Sequence, residues 1–324
     1  MFGLLKRRPC SIGVDVGSES IRLIQLAHNG KGMKLIAGRN RKCPPDIVPG
    51  SSEWQRWAIQ TMKIFVSNGG FKGKTVTATV PPADLFIDHV RIHRSKDEDL
   101  EEAAFAKVKQ KLPFEPNRDN VVLKCVRTGE DNVLVMAAER KIIDRHLAIY
   151  EQANLKIKTI AVWPVALVNC YTRFFGRRQS DLEAVVMLAS IETDRTNVVI
   201  CRHKHLLYAR SIPIGALQLE DENVISRFVL ELTGARRQFT SMHRNVQIER
   251  LIFLAGRSVK RQTCAAVAKQ LEMPAQMGDC LAAVQITDPY RLGIDRRSNG
   301  SDNDTADEKL QVNWAAAFGL SLSE

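Results

Sequence analysis

Residues 11–26 read Ser-Ile-Gly-Val-Asp-Val-Gly-Ser-Glu-Ser-Ile-Arg-Leu-Ile-Gln-Leu, two apolar runs on either side of a polar turn. The runs Ile12–Val16 and Ile21–Leu26 predict two strands, and Gly17 at the start of the turn predicts a hairpin. Asp15 leaves the first strand beside the N–H groups of this turn. Such a turn can hold a phosphate on its amides and a hydrated Mg²⁺ on its carboxylate. A Gly-Ser turn after a buried strand is more often only a turn, so this motif alone does not establish a phosphate site.

The composition is typical of a globular protein with more than one domain. The chain has 324 residues, enough for two domains of ordinary size. No stretch approaches the ~18 apolar residues of a membrane span, and the first residues do not predict a secretory signal because their short apolar part precedes the basic part. The seven cysteines lie far apart without a Cys-x-x-Cys pair. This spacing argues against zinc and disulfide frameworks and fits a reducing cytoplasm.

The net charge of +11 is unevenly distributed along the chain. Residues 1–45 carry nine Lys and Arg, among them Arg22, against two acidic residues, Asp15 and Glu19. A basic face of this kind suits anionic lipid or an acidic partner. Nucleic acid is not predicted as a partner, because no helix-turn-helix, zinc or aromatic-basic RNA motif accompanies the charge.

Residues 1–82 predict a first domain in which a sheet is covered by one helix. Further strands are predicted at Met33–Ala37 and Thr75–Val80, and a helix at Glu53–Ser67 with Ser52 and Gln55 as a capping box. One face of this helix has apolar residues at helical spacing, which indicates a buried stripe. The stripe consists of Trp54, Trp57, Ala58, Thr61 and Phe65. Two tryptophans in such a stripe are more often core residues than a platform for a ligand.

Residues 83–156 predict a compact strand-helix-strand-strand-helix unit inserted into the first domain. Its strands are Phe86–His93, Val121–Val126 and Val133–Ala138. Ser95 and Glu98 predict the cap of its first helix, and the second helix is predicted at Ile142–Ala153 with Leu147 and Tyr150 on its apolar side. The strand Ile157–Val162 then predicts a return to the first domain, over residues 157–180.

Residues 181–312 predict a second domain that echoes the first. Its elements are strands at Ala184–Ser190, Asn197–Arg202, His205–Ile212 and Arg250–Leu254, a helix at Asn223–His243 and a helix around Cys264. Residues 298–308 are rich in Ser, Asn and Asp and predict a solvated loop. A closing helix, Trp314–Leu322, is predicted within residues 313–324, with Asn313 as its cap.

The order of these motifs resembles the PilM family of type IV pilus assembly proteins. The hairpin of residues 13–22 is similar to the first phosphate loop of the actin-like ATPases, which include sugar kinases, heat-shock chaperones and FtsA. Short segments resemble the inserted subdomain shared by PilM and FtsA, the return strand and the closing helix: residues 99–103, 112–114, 121–123, 135–138, 161–167 and 315–322. The resemblance implies a two-domain α/β fold, actin-like (ribonuclease H-like), with an FtsA/PilM-type inserted α+β subdomain.

The resemblance also implies a remnant nucleotide site. Its residues would be Asp15, Gly17, Ser18, Ser20, Arg22 and Gly256. In the second phosphate loop, Ala189 aligns with the expected Asp and Ile191 with the expected Gly, and a β-branched residue resists a positive φ. Arg257 follows the single glycine left of the adenosine motif, and residues 215–223 are too few for the subdomain that covers the base. We therefore expect a pseudo-ATPase without catalytic residues, which binds ATP and Mg²⁺ weakly or not at all.

The function implied by the resemblance is that of a cytoplasmic scaffold peripheral to the inner membrane. It would dock the N-terminal cytoplasmic peptide of a PilN-like bitopic membrane protein in a groove between the first domain and the inserted subdomain. The candidate groove residues are Phe86, Val90, Phe114 and Pro116. Other pilus or secretion subunits and anionic membrane are further candidate partners, self-association is left open, and no nucleic acid is expected.

Two alternative functions stay open at this point. An active actin-like ATPase or kinase would be distinguished by an ATP titration. A cytoplasmic component of type II secretion, of GspL type, would continue into a membrane span, so a PilM-like subunit is expected instead. The pair His203-x-His205 shares one face of a strand, but without a third ligand nearby no metal site is predicted. No Gly-x-Ser-x-Gly or activated Cys motif indicates nucleophilic catalysis.

Overall fold

Two α/β domains of the same topology and a smaller inserted sheet form the structure. The computed structural model describes residues 9–17, 19–30, 32–93, 99–256, 259–288 and 312–323. The strands are β1 (Pro9–Val16), β2 (Ser20–Asn29), β3 (Gly32–Lys42), β4 (Thr75–Val80), β5 (Phe86–Arg91), β6 (Val121–Arg127), β7 (Asn132–Glu139), β8 (Lys156–Val162), β9 (Val185–Ile191), β10 (Thr196–Arg202), β11 (His205–Ile212), β12 (Arg250–Leu254) and β13 (Ala275–Met277). The helices are α1 (Ser52–Asn68), α2 (Leu100–Val108), α3 (Arg140–Gln152), α4 (Trp163–Phe174), α5 (Glu222–Met242), α6 (Arg261–Gln270) and α7 (Ala315–Ser321).

The sheets of the two domains have the same strand order. The first sheet runs β3-β2-β1-β4-β8 and the second β11-β10-β9-β12-β13. In each, the first three strands form an antiparallel meander, and the last two run parallel to the central strand. The repetition predicted from the sequence is therefore confirmed. Parallel connections require a crossover, and the helices supply it on the faces of each sheet.

The inserted unit has its own sheet, in the order β5-β7-β6. On one face Val133 and Val135 of β7 pack against Phe105 of α2 in a separate core. The other face, through Leu134 and Met136, belongs to the large core shared by both domains. The alternation of β7 thus buries both faces of this sheet.

Helix α3 follows the inserted sheet but packs into the first domain. Its buried Ile149 and Tyr150 lie in the same core as Trp54 of α1 and Val14 of β1. Leu147, predicted on the apolar side, is exposed instead (38%); the buried face carries His146, one residue earlier. The inserted unit therefore ends with β7 at residue 139, and α3 belongs to the first domain.

Helix α1 confirms the predicted stripe, with a cap one residue earlier than predicted. Trp54 is buried and Trp57 packs against the same core. The Ser51 hydroxyl, rather than that of Ser52, accepts a hydrogen bond from the N–H of Trp54. Asp99 caps α2 by accepting from the N–H of Glu101, whereas the predicted cap at Ser95 and Glu98 and the loop 298–308 lie outside the described residues.

Helices α4 and α7 cross between the two sheets with close contacts between backbones. A Cβ atom on Gly319 would overlap the carbonyl oxygen of Ala166, and one on Gly13 would overlap that of Ala317. The hydroxyl of Ser321 donates to Ser11 O (2.8 Å), 310 residues away. The last helix of the chain thus completes the face of the first sheet.

The segment after β13 ties the second domain to the first. Gln285 bonds through its backbone to Met33 O (2.9 Å) and Leu35 N (3.1 Å) of β3. In the same region, Cys170 Sγ of α4 lies 3.4 Å from Cys280 Sγ. Within the described residues, none of the helices combines the length and the apolar character needed to cross a bilayer.

Candidate functional site

The first hairpin places Asp15 opposite Arg22 at the end of the first sheet. These two residues form the last pair but one before the turn, and Gly17 N donates to Ser20 O (2.9 Å) across it. Gly17 is not among the glycines with a positive φ, and a Cβ atom there would make an ordinary contact at 3.5 Å. The hairpin predicted from Gly17 is present, but its turn does not require glycine at this position.

The second hairpin has the same register, which corrects the sequence alignment by one residue. Ser190 pairs with Asn197 at the position of Asp15 and Arg22. Glu192 opens the turn, and its N–H donates to Arg195 O (2.8 Å). The residue in place of the expected Asp is therefore Ser190, and Glu192 stands in place of the glycine. The alignment slipped because β9 is buried along its whole length and has no alternation to set its register.

Arg22 connects the two domains through a buried ionic bridge. Its Nη1 lies 3.0 Å from Asp15 Oδ2 and 2.7 Å from Glu192 Oε2, and it also donates to Asn313 O (3.0 Å). The three charged side chains are 11%, 12% and 14% exposed. We call Asp15, Arg22 and Glu192 the cleft bridge. It spans the space between the two hairpins, where the resemblance implied that phosphates would bind.

Asn313 fixes the second-domain side of the cleft bridge. Its Nδ2 donates to Ser190 Oγ (2.9 Å), Glu192 Oε1 (2.9 Å) and Leu254 O (2.8 Å). Its Oδ1 accepts from the N–H of Ala315 (3.1 Å), in the first turn of α7. Neither Glu192 nor Asn313 was predicted as part of the site. The sequence did contain a signal for Glu192, because an acidic residue stands at the turn position where a phosphate loop has a small residue.

Two carboxylates share one guanidinium in the cleft bridge. Burial raises the pKa of Asp15, and Arg22 opposes this shift. Burial likewise raises the pKa of Glu192, again opposed by Arg22. Burial alone would lower the pKa of Arg22, but Glu192 and Asp15 raise it above its ordinary value. When all three groups are ionised the bridge carries one excess negative charge, which disfavours a phosphate in the cleft.

The cleft bridge separates two cavities. One, of about 390 Å³, reaches Trp54, His146 and the loop before the inserted sheet; the other, of about 710 Å³, opens between the Pro44–Pro45 loop and Leu217. Both are lined by Ser20, Arg22 and Glu192. The first hairpin thus brings Asp15, Gly17, Ser20 and Arg22 together, as the sequence predicted.

Gly256, the remaining predicted nucleotide residue, lies elsewhere. It has a φ of 57° at the end of β12 and lines a separate cavity of about 230 Å³ with Gly278, Asp279 and Cys280. Ser18 and Arg257 lie outside the described residues. Of the five predicted nucleotide residues that the structure describes, it therefore brings together the four of the first hairpin and leaves Gly256 apart.

A groove of about 580 Å³ lies where the inserted sheet meets both domains. Two of the predicted partner residues, Phe86 and Phe114, line it; Val90 packs in the core of the inserted unit, and Pro116 is exposed outside the groove. The residues lining this groove, hereafter the insertion groove, are Ala83–His89, Pro113, Phe114, Glu139, Ile142, Tyr208–Ser211 and Gln238. The second domain therefore supplies one wall, which the sequence did not predict.

A histidine joins the inserted sheet to this second-domain wall. The ring of His89 stacks on that of Tyr208 (4.4 Å between centroids, 10° between planes), and its Nε2 lies 3.1 Å from Ala209 O. Burial lowers the pKa of His89, so the ring is neutral at pH 7 and Nε2 can donate. Asn132 adds a hydrogen bond to Met242 O (2.7 Å). These contacts fix the width of the groove.

Other predicted features give no further site. Arg22 lies in the cleft bridge, so it does not contribute to the basic face predicted for residues 1–45. His203 lies in the turn between β10 and β11 with a φ of 47°. Among the described residues, no group of three His, Cys, Asp or Glu side chains is placed to hold a metal ion.

Comparison with known proteins relates this architecture to a family. The sequence profile of the family "Type IV pilus assembly protein PilM" matches residues 13–252. Among solved structures, the chain is similar to the "PilM-PilN type IV pilus biogenesis complex", with 19% identity, a TM-score of 0.70, and coverage of 96% of this chain and 97% of that one.

Two other solved structures have the same fold. One is the ethanolamine utilization protein EutJ from Carboxydothermus hydrogenoformans, with 11% identity, a TM-score of 0.53, and coverage of 98% of this chain and 90% of that one. The other is a Bacteroides thetaiotaomicron protein described as having an actin-like ATPase fold, with 11% identity, a TM-score of 0.50, and coverage of 90% and 97%. The predicted actin-like α/β fold is confirmed, and the chain belongs to the PilM family of type IV pilus assembly proteins.

Proposed function

We propose that this protein is a cytoplasmic adaptor of a type IV pilus or related secretion machine. It docks the N-terminal cytoplasmic peptide of a PilN-like inner-membrane protein, and it does not turn over ATP. The observation that carries the proposal is that Arg22 is held by Asp15 and Glu192 across the two hairpins, while a groove of about 580 Å³ opens where the inserted sheet meets both domains.

The insertion groove supports peptide docking because apolar side chains form part of its walls. Phe86 and Phe114 are partly buried side chains of the inserted core that also line the groove, and Ile142 at the start of α3 lines it from the first domain. An extended peptide in such a groove gains main-chain hydrogen bonds and side-chain pockets without any chemical step. A solved relative is described as a complex of PilM with PilN, which supports the choice of partner.

The cleft bridge supports the loss of ATP turnover. A phosphate site needs free N–H donors and positive charge, but Arg22 Nη1 is already engaged by Asp15, Glu192 and Asn313 O. Glu192 brings a carboxylate into the turn of the second hairpin. An active ATPase of the same fold is the alternative function.

Peptide binding tests the proposal. A synthetic peptide with the N-terminal cytoplasmic sequence of the PilN-like protein from the same genome is titrated into the wild type by calorimetry. Phe114→Ala should weaken binding about tenfold, or about 1.4 kcal/mol. Leu230→Ala, at a 71% exposed leucine of α5 outside the groove, should leave binding unchanged. Equal effects of the two variants would refute docking in this groove.

Two broader variants separate the groove from the cleft. Deleting residues 86–139 removes the inserted sheet but keeps α3, and it should abolish peptide binding; because Leu134 and Met136 of this sheet belong to the large core, circular dichroism must first establish that the variant is folded. Gly17→Val, in the remnant phosphate turn, should leave peptide binding unchanged. A folded deletion variant that binds normally would place the partner elsewhere.

An ATP titration tests the second half of the proposal. We expect no significant turnover and an affinity of high micromolar or weaker, less than about 6 kcal/mol. Low-micromolar Mg-ATP binding, or turnover that Asp15→Ala abolishes, would support the alternative of an active ATPase.

A further inference from the structure

The open edge of strand β5 forms part of the insertion groove. In the order β5-β7-β6, β5 is paired on one side only among the strands that the structure describes. Ile92 N donates to Asp131 O (2.8 Å), directly beyond the pair Arg91 and Asn132. Since the bonded pairs of an antiparallel ladder alternate, Val90, Asp88 and Phe86 bond to β7. The intervening residues, Ile87 and His89, direct their backbone groups away from β7.

The hydrogen bonds of β5 agree with this assignment. His89 N donates to the side-chain Oδ1 of Asp88 (2.8 Å), as an N–H on the open edge can. Among the backbone bonds of the described residues, none reaches the outward groups of Ile87. Ile87 also lines the groove. One N–H donor and one C=O acceptor of Ile87 are therefore open to an occupant, the arrangement that an edge strand presents to an added strand.

The two sides of β5 face different walls. Phe86 packs with Phe114 in the core of the inserted unit, whereas Ile87 packs with Ala209 in the core shared with the second domain. Successive side chains of a strand point to opposite faces. A strand laid along β5 would therefore direct alternate side chains toward Phe114 and toward the second-domain wall.

One carboxylate of the groove, that of Asp84, has no ion pair within the described part of the chain. Asp88 is paired with Lys111, Glu139 with Lys141, and the groove's Arg210 with Glu231, each at 2.7 Å. Asp84 is half-buried, lines both the groove and the 390 Å³ cleft cavity, and has no hydrogen bond or ion pair to its side chain among the described residues. Burial raises the pKa of Asp84, and Arg145 and Arg195 oppose this shift from beyond ion-pair distance. A cation placed directly at Asp84 would give this carboxylate a close partner.

Building on the proposed function, we infer that the partner segment binds as a fourth strand of the inserted sheet, paired with Ile87, and places a positive charge at Asp84. Its apolar side chains occupy alternate positions. The charge fits a segment next to a membrane span, because cytoplasmic flanks of such spans are rich in Lys and Arg. Main-chain pairing gives the affinity, and the alternating pockets give the specificity.

Amide hydrogen exchange measures the pairing directly in the full-length protein. The probe is the same synthetic peptide of the PilN-like protein, added to saturation. The outward N–H of Ile87 should exchange quickly in the free protein and about tenfold or more slowly in the complex. The N–H of Arg91, on the same edge but outside the groove, is the internal control and should not change.

A backbone-methylated peptide series supplies the second measurement. Removing N–H donors one at a time should weaken binding at every other position, by about 2- to 12-fold for each lost hydrogen bond. Ile87→Pro should cause a similar loss, because proline is tolerated where the N–H of an edge strand points outward. Arg91→Pro makes the same change outside the groove and should have no effect on binding.

The Asp84 contact has its own variant. Asp84→Asn should weaken peptide binding several-fold at low salt and less at high salt, because ionic strength screens a partly exposed pair. Asp144→Asn, at an exposed carboxylate of α3, is the matched control. Equal effects of the two variants would overturn the charge assignment.

The outcomes separate this inference from the function on which it rests. If the unmodified peptide does not bind, both fail. If it binds without protection of the Ile87 amide and without a period of two in the methylated series, strand pairing on β5 is wrong and the adaptor function stands. An alternating series without protection at Ile87 would place the pairing on another edge and also overturn the inference.

Discussion

The cleft bridge predicts that Arg22→Met destabilises the protein strongly at neutral pH. The variant keeps an unbranched side chain but leaves Asp15 and Glu192 buried without the guanidinium they share. At an effective dielectric constant of about 20, two unit charges 4 Å apart attract by about 4 kcal/mol, and Arg22 makes two such contacts, at 3.0 and 2.7 Å. After the cost of burying the charges, removing one partner of a buried pair costs about 3–5 kcal/mol.

The pH dependence gives this prediction a sign. Burial raises the pKa of Asp15 and of Glu192 in the folded state, and without Arg22 both values rise further. A carboxyl group with a raised folded pKa stabilises the fold fully below its unfolded pKa of about 4, and that contribution is lost as pH rises through the folded pKa. The loss in free energy of unfolding caused by Arg22→Met should therefore be smaller at about pH 5 than at about pH 8.

Urea unfolding followed by circular dichroism at the two pH values measures both effects. Arg210→Met is the matched control, since the pair of Arg210 with Glu231 has the same 2.7 Å distance but side chains that are 40% and 32% exposed. Such a pair is worth less than about 1 kcal/mol. The prediction would be refuted if Arg22→Met lowers the free energy of unfolding by less than about 1 kcal/mol, or if this loss grows as the pH falls.

Three further predictions follow from the same features. Glu192→Gln leaves one carboxylate for Arg22, so the free energy of unfolding at pH 7 should stay within about 1 kcal/mol of the wild type or rise. The decrease of this free energy between about pH 4 and 7 should become smaller, and a loss above about 3 kcal/mol in urea unfolding would contradict the prediction. Gly319→Ala should cost about 1–3 kcal/mol because its Cβ would overlap Ala166 O, whereas Gly32→Ala, with its nearest neighbour at 4.0 Å, should change the thermal midpoint little. Vesicle sedimentation should show weak binding to anionic lipid, about 1 kcal/mol per basic residue near the surface; binding that does not weaken with salt would exclude a role for the basic segment 1–45.

The elements and their order could be predicted from the sequence because each has a local pattern. The strands Thr75–Val80, His205–Ile212 and Arg250–Leu254 were predicted with the bounds that the structure has. The cores of α1 and α5 follow the helical spacing of their apolar residues. The alignment of β9 with the first phosphate loop was wrong by one residue, because every residue of β9 is buried and no alternation of apolar and polar residues shows the register.

The site was less predictable because its contacts join distant parts of the chain. Glu192 reaches Arg22 from 170 positions along the sequence, and no local motif marks that pair. The same holds for His89 and Ala209, 120 residues apart, which bring the second domain to the insertion groove. The sequence shows that the second hairpin lacks the Asp and Gly of the first, but it does not show the contact of Glu192 with Arg22.

The contact between Ser321 and Ser11 has a consequence for synthesis on the ribosome. At about 5–20 residues per second, the 310 residues between them take about 15–60 s to translate. During that interval the first hairpins have emerged without the helix that covers one face of their sheet. The core between α2 and one face of the inserted sheet lies within residues 86–137, so it can form earlier. The first domain is therefore completed only after α7 has been made, and the face of its sheet that α7 covers is exposed to chaperones until then.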